Sequence, residues 1–305
     1  MKRTSVVSLL ALATLALLLG TGYDLKISQD LVDKSNLVGR FGEALGEFPG
    51  YLVGAFSCAI LLLTRKRASR WSVVSSLVLG GLSFALTVVF AAWLPFFYSG
   101  LPLWGSAMVG LVIVLGLVGL LRLIPRERYP EWRALGWVGA GTLAFTLVTV
   151  TLLKATWSRV RFRDLDASAS AFTPWYWPQG YTGNPEWTSF PSGHVATAAV
   201  IFVVPLFASA FGANKGQLRL LKAFCLLWIF MVMVSRVLLG AHYVTDVVVG
   251  ALLGSGGLWL ANQLFRHPLG STHLRACTTA VNRARAPAST SPASSASKYI
   301  TKSPF

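Results

Sequence analysis

Apolar residues run in eight long blocks along the chain, separated by shorter stretches where charged residues, Gly and Pro collect. Each block comes near the ~20 mostly apolar residues that a helix needs to cross the hydrocarbon core of a bilayer. The blocks are Ser5–Tyr23, Phe48–Thr64, Val73–Leu94, Leu103–Leu121, Ala134–Leu153, Val195–Ala213, Leu220–Gly240 and Tyr243–Phe265. They predict an all-α polytopic membrane protein, a bundle of about eight transmembrane helices filling residues 1–265. The second block is the shortest, so a re-entrant segment is the alternative to a crossing there. The first, behind Lys2 and Arg3, has a signal peptide as its alternative, with Gly20-Thr21-Gly22 as a poor imitation of a cleavage site. From 266 to 305 the chain turns to Ser, Thr, Ala, Pro and basic residues with no acidic one, which predicts a disordered basic tail.

Composition agrees: of 305 residues 54% are hydrophobic and only 12% charged, about half the charge of a soluble chain. The imbalance of 27 Lys+Arg against 11 Asp+Glu would point to nucleic acid in a soluble protein. Its placement points elsewhere. When the connections are assigned alternately to two faces, 19 of these basic residues fall on the N-terminal face and six on the other. Cytoplasmic loops collect Lys and Arg, so both termini are expected in the cytoplasm, with no nucleic-acid partner. Cys58, Cys225 and Cys277 are too scattered for a disulfide framework or a zinc site.

Ionisable residues beside the apolar blocks are costly there, and so are candidates for function. Ser235-Arg236 is followed by His242 and then Asp246. The last two are four apart, on one face of a helix, where a carboxylate can orient an imidazole as nucleophile or base. A buried polar pair joining helices is the plainer alternative. Pro191-Ser192-Gly193-His194 precedes the sixth block and reads as a helix start, with Ser192 as cap and Gly193 admitting close approach of a phosphate. His194 stands beside it as a possible proton donor; an ordinary capped helix is the alternative. Lys154 ends the fifth block and Arg161 follows seven residues later, on the same side if the helix continues, with Arg159 and Arg163 flanking. Snorkelling and headgroup contact are the alternatives for these cations. Alternation brings all three segments to the non-cytoplasmic face.

Together these residues resemble the type-2 phosphatidic acid phosphatase superfamily of membrane lipid phosphatases. Its pattern is Lys-x6-Arg-Pro, then Pro-Ser-Gly-His, then Ser-Arg-x5-His-x3-Asp. Lys154, Arg161, Pro191, Ser192, Gly193, His194, Ser235, Arg236, His242 and Asp246 match it, and Phe162 stands where the pattern has proline. The resemblance covers roughly residues 150–250 and implies a six-helix core. It implies that His242 attacks phosphorus, that Asp246 orients it and that His194 protonates the leaving oxygen. Lys154, Arg161, Arg236, Ser192 and the Gly193 amide would hold the phosphoryl oxygens, with no metal and no cofactor.

The implied substrate is a membrane lipid phosphate met at the outer leaflet. Undecaprenyl pyrophosphate is the first expectation. Phosphatidylglycerophosphate or phosphatidate hydrolysis, or phosphoryl transfer to an acceptor other than water, are the alternatives; a lipid-binding protein or transporter with a relic site is the remaining one. The connection from Lys154 to Pro191 is long and rich in aromatics, including Trp157, Phe172, Trp175, Trp177, Tyr181 and Phe190. It is expected either to line a lipid entrance or to form an interfacial belt.

Overall fold

The computed structural model describes residues 3–65, 70–99, 102–184 and 186–285. Among these there are ten α-helices and no strand. They are α1 (Arg3–Leu31), α2 (Leu37–Leu45), α3 (Phe48–Leu63), α4 (Arg70–Ser99), α5 (Leu103–Arg122), α6 (Tyr129–Trp157), α7 (Gly193–Ala199), α8 (Val204–Ala210), α9 (Lys215–Leu238) and α10 (Val244–Arg285). Seven segments among the described residues are long and apolar enough to cross a membrane, and they match the last seven apolar blocks. The first block lies in α1. The protein is an all-α polytopic membrane protein.

The short second block proves to be half of a longer element. The candidate span there is Leu37–Leu63, built from α2 and α3 in succession, so shortness no longer argues for a re-entrant segment. The sequence pattern missed α2 because the helix is short and polar on one side. Asn36 caps it, accepting from the Gly39 amide at 3.1 Å. Its buried Gly39 and Gly42 let it press onto α9, where a Cβ at Gly42 would sit 2.4 Å from Ser235.

The chain divides into the units Met1–His267 and Pro268–Phe305. In the second unit the α10 backbone stays helical to Arg285, past the boundary expected at 265. Ala, Leu and Arg in that stretch are good helix formers, which a reading by overall composition passes over. Residues 286–305, the remainder of the expected tail, lie outside the described residues.

Two arginines tie one end of the bundle. Arg133 Nη1 donates to the Thr64 carbonyl and Arg128 Nη1 to the Ala210 carbonyl, both at 2.7 Å, satisfying carbonyls left over at the ends of α3 and α8. Between α3, α6 and α8 lies an aromatic core. Trp132 stacks on Phe207 at 6.2 Å between centroids, and Phe56 meets Phe207 edge-on at 5.0 Å. Outward-facing leucines such as Leu79, Leu111 and Leu227 are exposed, as suits a surface whose solvent is lipid.

α10 approaches α7 more closely than any side chain would permit. A Cβ at Gly250 would lie 2.5 Å from the Ser192 carbonyl oxygen, and one at Gly254 2.3 Å from that of Ala196. This Gly-x3-Gly pair lets two backbones touch, and it fixes the start of α10 against the start of α7. We therefore expect Gly254→Val to lower stability in detergent by the ~1–3 kcal/mol of an overpacked core. Gly256→Ala, where nothing lies within 4 Å, should not. Thermal melting of the two variants beside the wild type checks this.

Candidate active site

Three chain segments meet at the end of the bundle opposite the Arg128 and Arg133 ties. At the first, Lys154 occupies the last turn of α6 and its Nζ donates to the Thr188 carbonyl. Ser158 then stops the helix in a left-handed conformation, φ 41° and ψ 47°. Lys154 and Arg161 therefore do not share a helix face, as a continuing helix would have had it. They are brought together by a common partner instead: Arg161 Nη2 donates to Thr188 Oγ1 at 2.7 Å. Arg161 is extended, φ −73° and ψ 148°, the backbone that a following proline would impose. Phe162 keeps that geometry by other means. Its ring meets Tyr243 edge-on at 6.4 Å, and the next amide, of Arg163, donates to the Gly240 carbonyl at 3.0 Å.

The second segment enters α7 through a cis Phe190–Pro191 bond. Ser192 caps the helix, its hydroxyl accepting from the Val195 amide at 3.5 Å, while its own amide donates to the Asp246 carbonyl at 3.0 Å. A Cβ at Gly193 would lie 3.6 Å from Lys154 Cε, so the small residue leaves the space beside the lysine open. His194 is held by groups the motif does not contain. Its Nε2 is 3.2 Å from the Glu43 carbonyl, its Nδ1 3.7 Å from the Glu47 carboxylate, and its ring lies 5.5 Å from that of Tyr98.

The third segment is the turn from α9 to α10. Ser235 donates to the Gly39 carbonyl at 2.7 Å, anchoring α9 to α2. Arg236 Nη1 and Nη2 lie 3.2 and 3.3 Å from Glu43 Oε1, while its buried Nε has no hydrogen-bond partner. Such an orphaned donor suits an anion. Gly240, at φ 62°, makes the left-handed turn that a side chain would oppose, and the His242 amide then donates to the Arg236 carbonyl at 3.2 Å. The His242 ring nitrogen Nδ1 is 2.6 Å from the Ser189 carbonyl. A carbonyl only accepts, so Nδ1 carries the proton and Nε2 keeps its lone pair. Burial, reinforced by the charges of Lys154 and Arg236, holds this imidazole down to about 3, and so neutral at ordinary pH.

Asp246 does not orient His242 by direct contact, as the spacing of four had suggested. Its Oδ2 lies 3.9 Å from Nδ1, beyond hydrogen-bonding distance. The carboxylate instead takes Arg159 Nη1 at 2.6 Å, the Ser189 hydroxyl at 2.6 Å and the Tyr243 amide at 2.9 Å. A buried guanidinium outcompetes a neutral imidazole for a carboxylate. Asp246 thus holds Ser189, and Ser189 holds His242.

All eight residues singled out as site candidates, His242, His194, Asp246, Lys154, Arg161, Ser192, Gly193 and Arg236, are therefore joined into one cluster by the contacts above. Sequence reasoning missed Thr188, Ser189, Glu43, Glu47 and Asp24, and passed Arg159 over as a flanking charge. Thr188 and Ser189, just before Phe190 and Pro191, carried no signal of their own. Of the aromatics in the long connection, Phe172 and Trp175 turn inward. Phe172 meets Tyr243 at 5.4 Å, and Trp175 lies 6.2 Å from Phe190 and donates to Thr21 Oγ1 at 2.9 Å. Tyr176, Trp177 and Tyr181 are exposed.

A polytopic helical protein whose cations and histidines gather at one end of the bundle has counterparts among known families. The family model described as PAP2 superfamily matches residues 135–268. That segment contains every motif residue from Lys154 to Asp246, and through it the chain is similar to the PAP2 superfamily. It is similar to the lipid A 1-phosphatase of Rhizobium etli, 32% identical over 122 residues, 39% of this chain and 46% of the relative. Phosphatidylglycerophosphatase B of Haemophilus influenzae is 34% identical over 98 residues, 32% of this chain and 39% of the relative. The lipid A 4'-phosphatase of Bacteroides thetaiotaomicron is 38% identical over 73 residues, 23% and 28% of the two chains. The chain thus spans less than half the length of each. No solved structure matches it.

Two substitutions test the geometry. On the phosphatase reading proposed below, His242→Ala should abolish phosphate release from an aryl phosphate, because it removes the imidazole whose Nε2 keeps its lone pair. Ser189→Ala keeps the carbonyl that holds His242 but drops the hydroxyl that Asp246 grips. It should cost about tenfold in rate, the worth of one hydrogen bond of roughly 1–1.5 kcal/mol. Single-turnover assays in detergent micelles measure both.

Proposed function

We propose that the protein is a membrane lipid phosphatase acting through a phospho-histidine at His242. The observation that carries this reading is His242 Nδ1 on the Ser189 carbonyl, with Nε2 unengaged among the described residues, while Lys154 and Arg161 are both held on Thr188, the residue before Ser189. Nε2 attacks phosphorus, the bond from phosphorus to the lipid oxygen breaks, and His194 gives that oxygen its proton. Water then breaks the N–P bond and releases inorganic phosphate. The cations neutralise the phosphoryl oxygens throughout, so no metal is required for charge balance. Lys154 Nζ has donors to spare beyond the one given to Thr188, and Arg236 Nε has no partner to lose.

We assign the substrate as a lipid pyrophosphate, undecaprenyl pyrophosphate in a bacterial membrane, met at the non-cytoplasmic leaflet. The support is a cavity of about 500 Å³ beside the cluster, lined by Lys34, Arg40, Arg163, Glu43, Asp164 and Tyr98. Glu43 belongs to both places, pairing with Arg236 on one side and, at 3.6 Å, with Arg163 on the other. A second phosphate one bridging oxygen from the first would reach these additional cations. The outward orientation rests on the distribution of Lys and Arg between the two faces. A second reading, lipid A 1-phosphate, is favoured by the similarity to the Rhizobium etli enzyme.

The purified protein should release phosphate from undecaprenyl pyrophosphate faster than from phosphatidate, phosphatidylglycerophosphate or lipid A. It should do so in excess chelator. A preference for lipid A would move the assignment to the second reading, and a preference for glycerophospholipids would remove both. Lys34→Ala/Arg40→Ala should raise KM for the pyrophosphate about tenfold, since exposed charge-assisted contacts are worth roughly 1–2 kcal/mol together, with little change for a lipid monophosphate. In oriented vesicles, turnover only from the side of the tail would overturn the topology.

A further inference from the structure

Asp24 and Arg159 belong to no motif, yet they are among the most deeply buried charged side chains of the described residues, at 2% and 1% exposure. Every nitrogen of the Arg159 guanidinium is committed. Nε donates to the Thr173 carbonyl at 2.8 Å, Nη1 to Asp246 Oδ1 at 2.6 Å and Thr245 Oγ1 at 3.0 Å, and Nη2 to Asp24 Oδ2 at 3.0 Å. Its plane lies over the Tyr243 ring at 4.1 Å, which leaves the group no room to rotate. Asp24 in turn accepts from the Thr245 amide at 3.1 Å and from the Thr245 hydroxyl. One turn before it, Gly20 lets α1 press onto Thr245, since a Cβ there would lie 2.6 Å from the threonine methyl.

The pair reaches the nucleophile twice through Ser189. The Ser189 amide donates to the Arg159 carbonyl at 2.9 Å, and the Ser189 hydroxyl donates to Asp246, whose other oxygen Arg159 holds. The Ser189 carbonyl then takes the Nδ1 proton of His242. A shift of Arg159 would therefore move Ser189 from both sides and change what Nδ1 meets. Among the described residues Asp24 is the only carboxylate on the other half of the guanidinium. Without it Arg159 would be drawn wholly to Asp246 and away from the Thr245 hydroxyl.

We propose that Asp24 and Arg159 are positioning residues for His242, so that α1, which lies outside the PAP2 segment, completes the reaction centre through the chain Asp24, Arg159, Asp246, Ser189, His242. The proposal rests on the phospho-histidine reading of the preceding section. It distinguishes this chain's centre from a bare motif: a first-helix carboxylate helps set the tautomer of a histidine more than 200 residues later in sequence.

The test compares Asp24→Asn, Asp24→Glu, Arg159→Lys and the uncharged Thr245→Val, full-length in micelles, with the wild type. Asp24→Asn should lower kcat 10- to 100-fold, with KM for the lipid changed less than twofold. Asp24→Glu should recover part of that loss. Nitrogen NMR of histidine-labelled protein should show His242 losing its pure Nδ1–H tautomer in Asp24→Asn. A merely structural contact would reduce the folded fraction but leave the tautomer of the folded protein unchanged. If Asp24→Asn or Arg159→Lys fails to fold, Thr245→Val, which removes the bridging hydroxyl and no charge, should still lower kcat about fivefold and shift the same signal. Wild-type kcat and an unchanged His242 signal in the folded variants would overturn the proposal. Full activity in His242→Ala would instead overturn the reading on which it rests.

Discussion

A guanidinium with a carboxylate on each side, sealed from water, holds the site end of this bundle together. Arg159 lies between Asp24 of α1 and Asp246 of α10, at 3.0 and 2.6 Å. Charges removed from water are tolerable only when paired and fully hydrogen-bonded, and losing one partner of such a pair typically costs ~3–5 kcal/mol. The three elements are thereby locked to one another. The aromatic packing follows the same constraint: Tyr243 and Phe172 pack about the guanidinium, and Trp175 extends the contact to α1 through Thr21. The long connection after α6 is in part a buried support for the site, and its exposed members Tyr176, Trp177 and Tyr181 are the ones left to meet lipid or headgroups.

What the triad steadies is a five-residue stretch, Thr188 to Ser192, threaded between the helix ends. Its backbone and hydroxyls receive Lys154, Arg161 and His242 on one side and engage Arg159 and Asp246 on the other. A motif of conspicuous residues therefore works through inconspicuous ones. The cations keep their positions because Thr188 holds two of them. The Nε2 lone pair of His242 is left free because the Ser189 backbone carbonyl takes the proton on Nδ1.

The cationic cluster does not stand alone in this state. Glu43 lies against Arg236 and Arg163, and Glu47 faces His194. Both come from the α2–α3 segment, outside the region matched by the family. On the proposed function, a phosphoryl group entering the cluster would compete with Glu43 for Arg236, and these carboxylates would moderate the charge it meets.

The sequence by itself determined the bundle and the neighbourhood of its chemistry. Apolar block length decided the helices, because a bilayer leaves few other ways to bury a backbone. Alternation of the blocks brought Lys154, His194, Arg236 and His242 to one end. The blocks passed over α2, since a short amphipathic helix pressed on α9 by Gly39 and Gly42 has too little apolar sequence to announce itself. Only the tertiary structure decided which acid meets which base. Spacing of four put Asp246 on the His242 face, but its partner is Arg159, 87 residues away, and the other carboxylate on that arginine is 135 residues away in α1. Periodicity specifies the direction of a side chain along its own helix. The strongest available charge in a water-poor interior chooses its partner, and which charges are within reach is settled by how the helices pack.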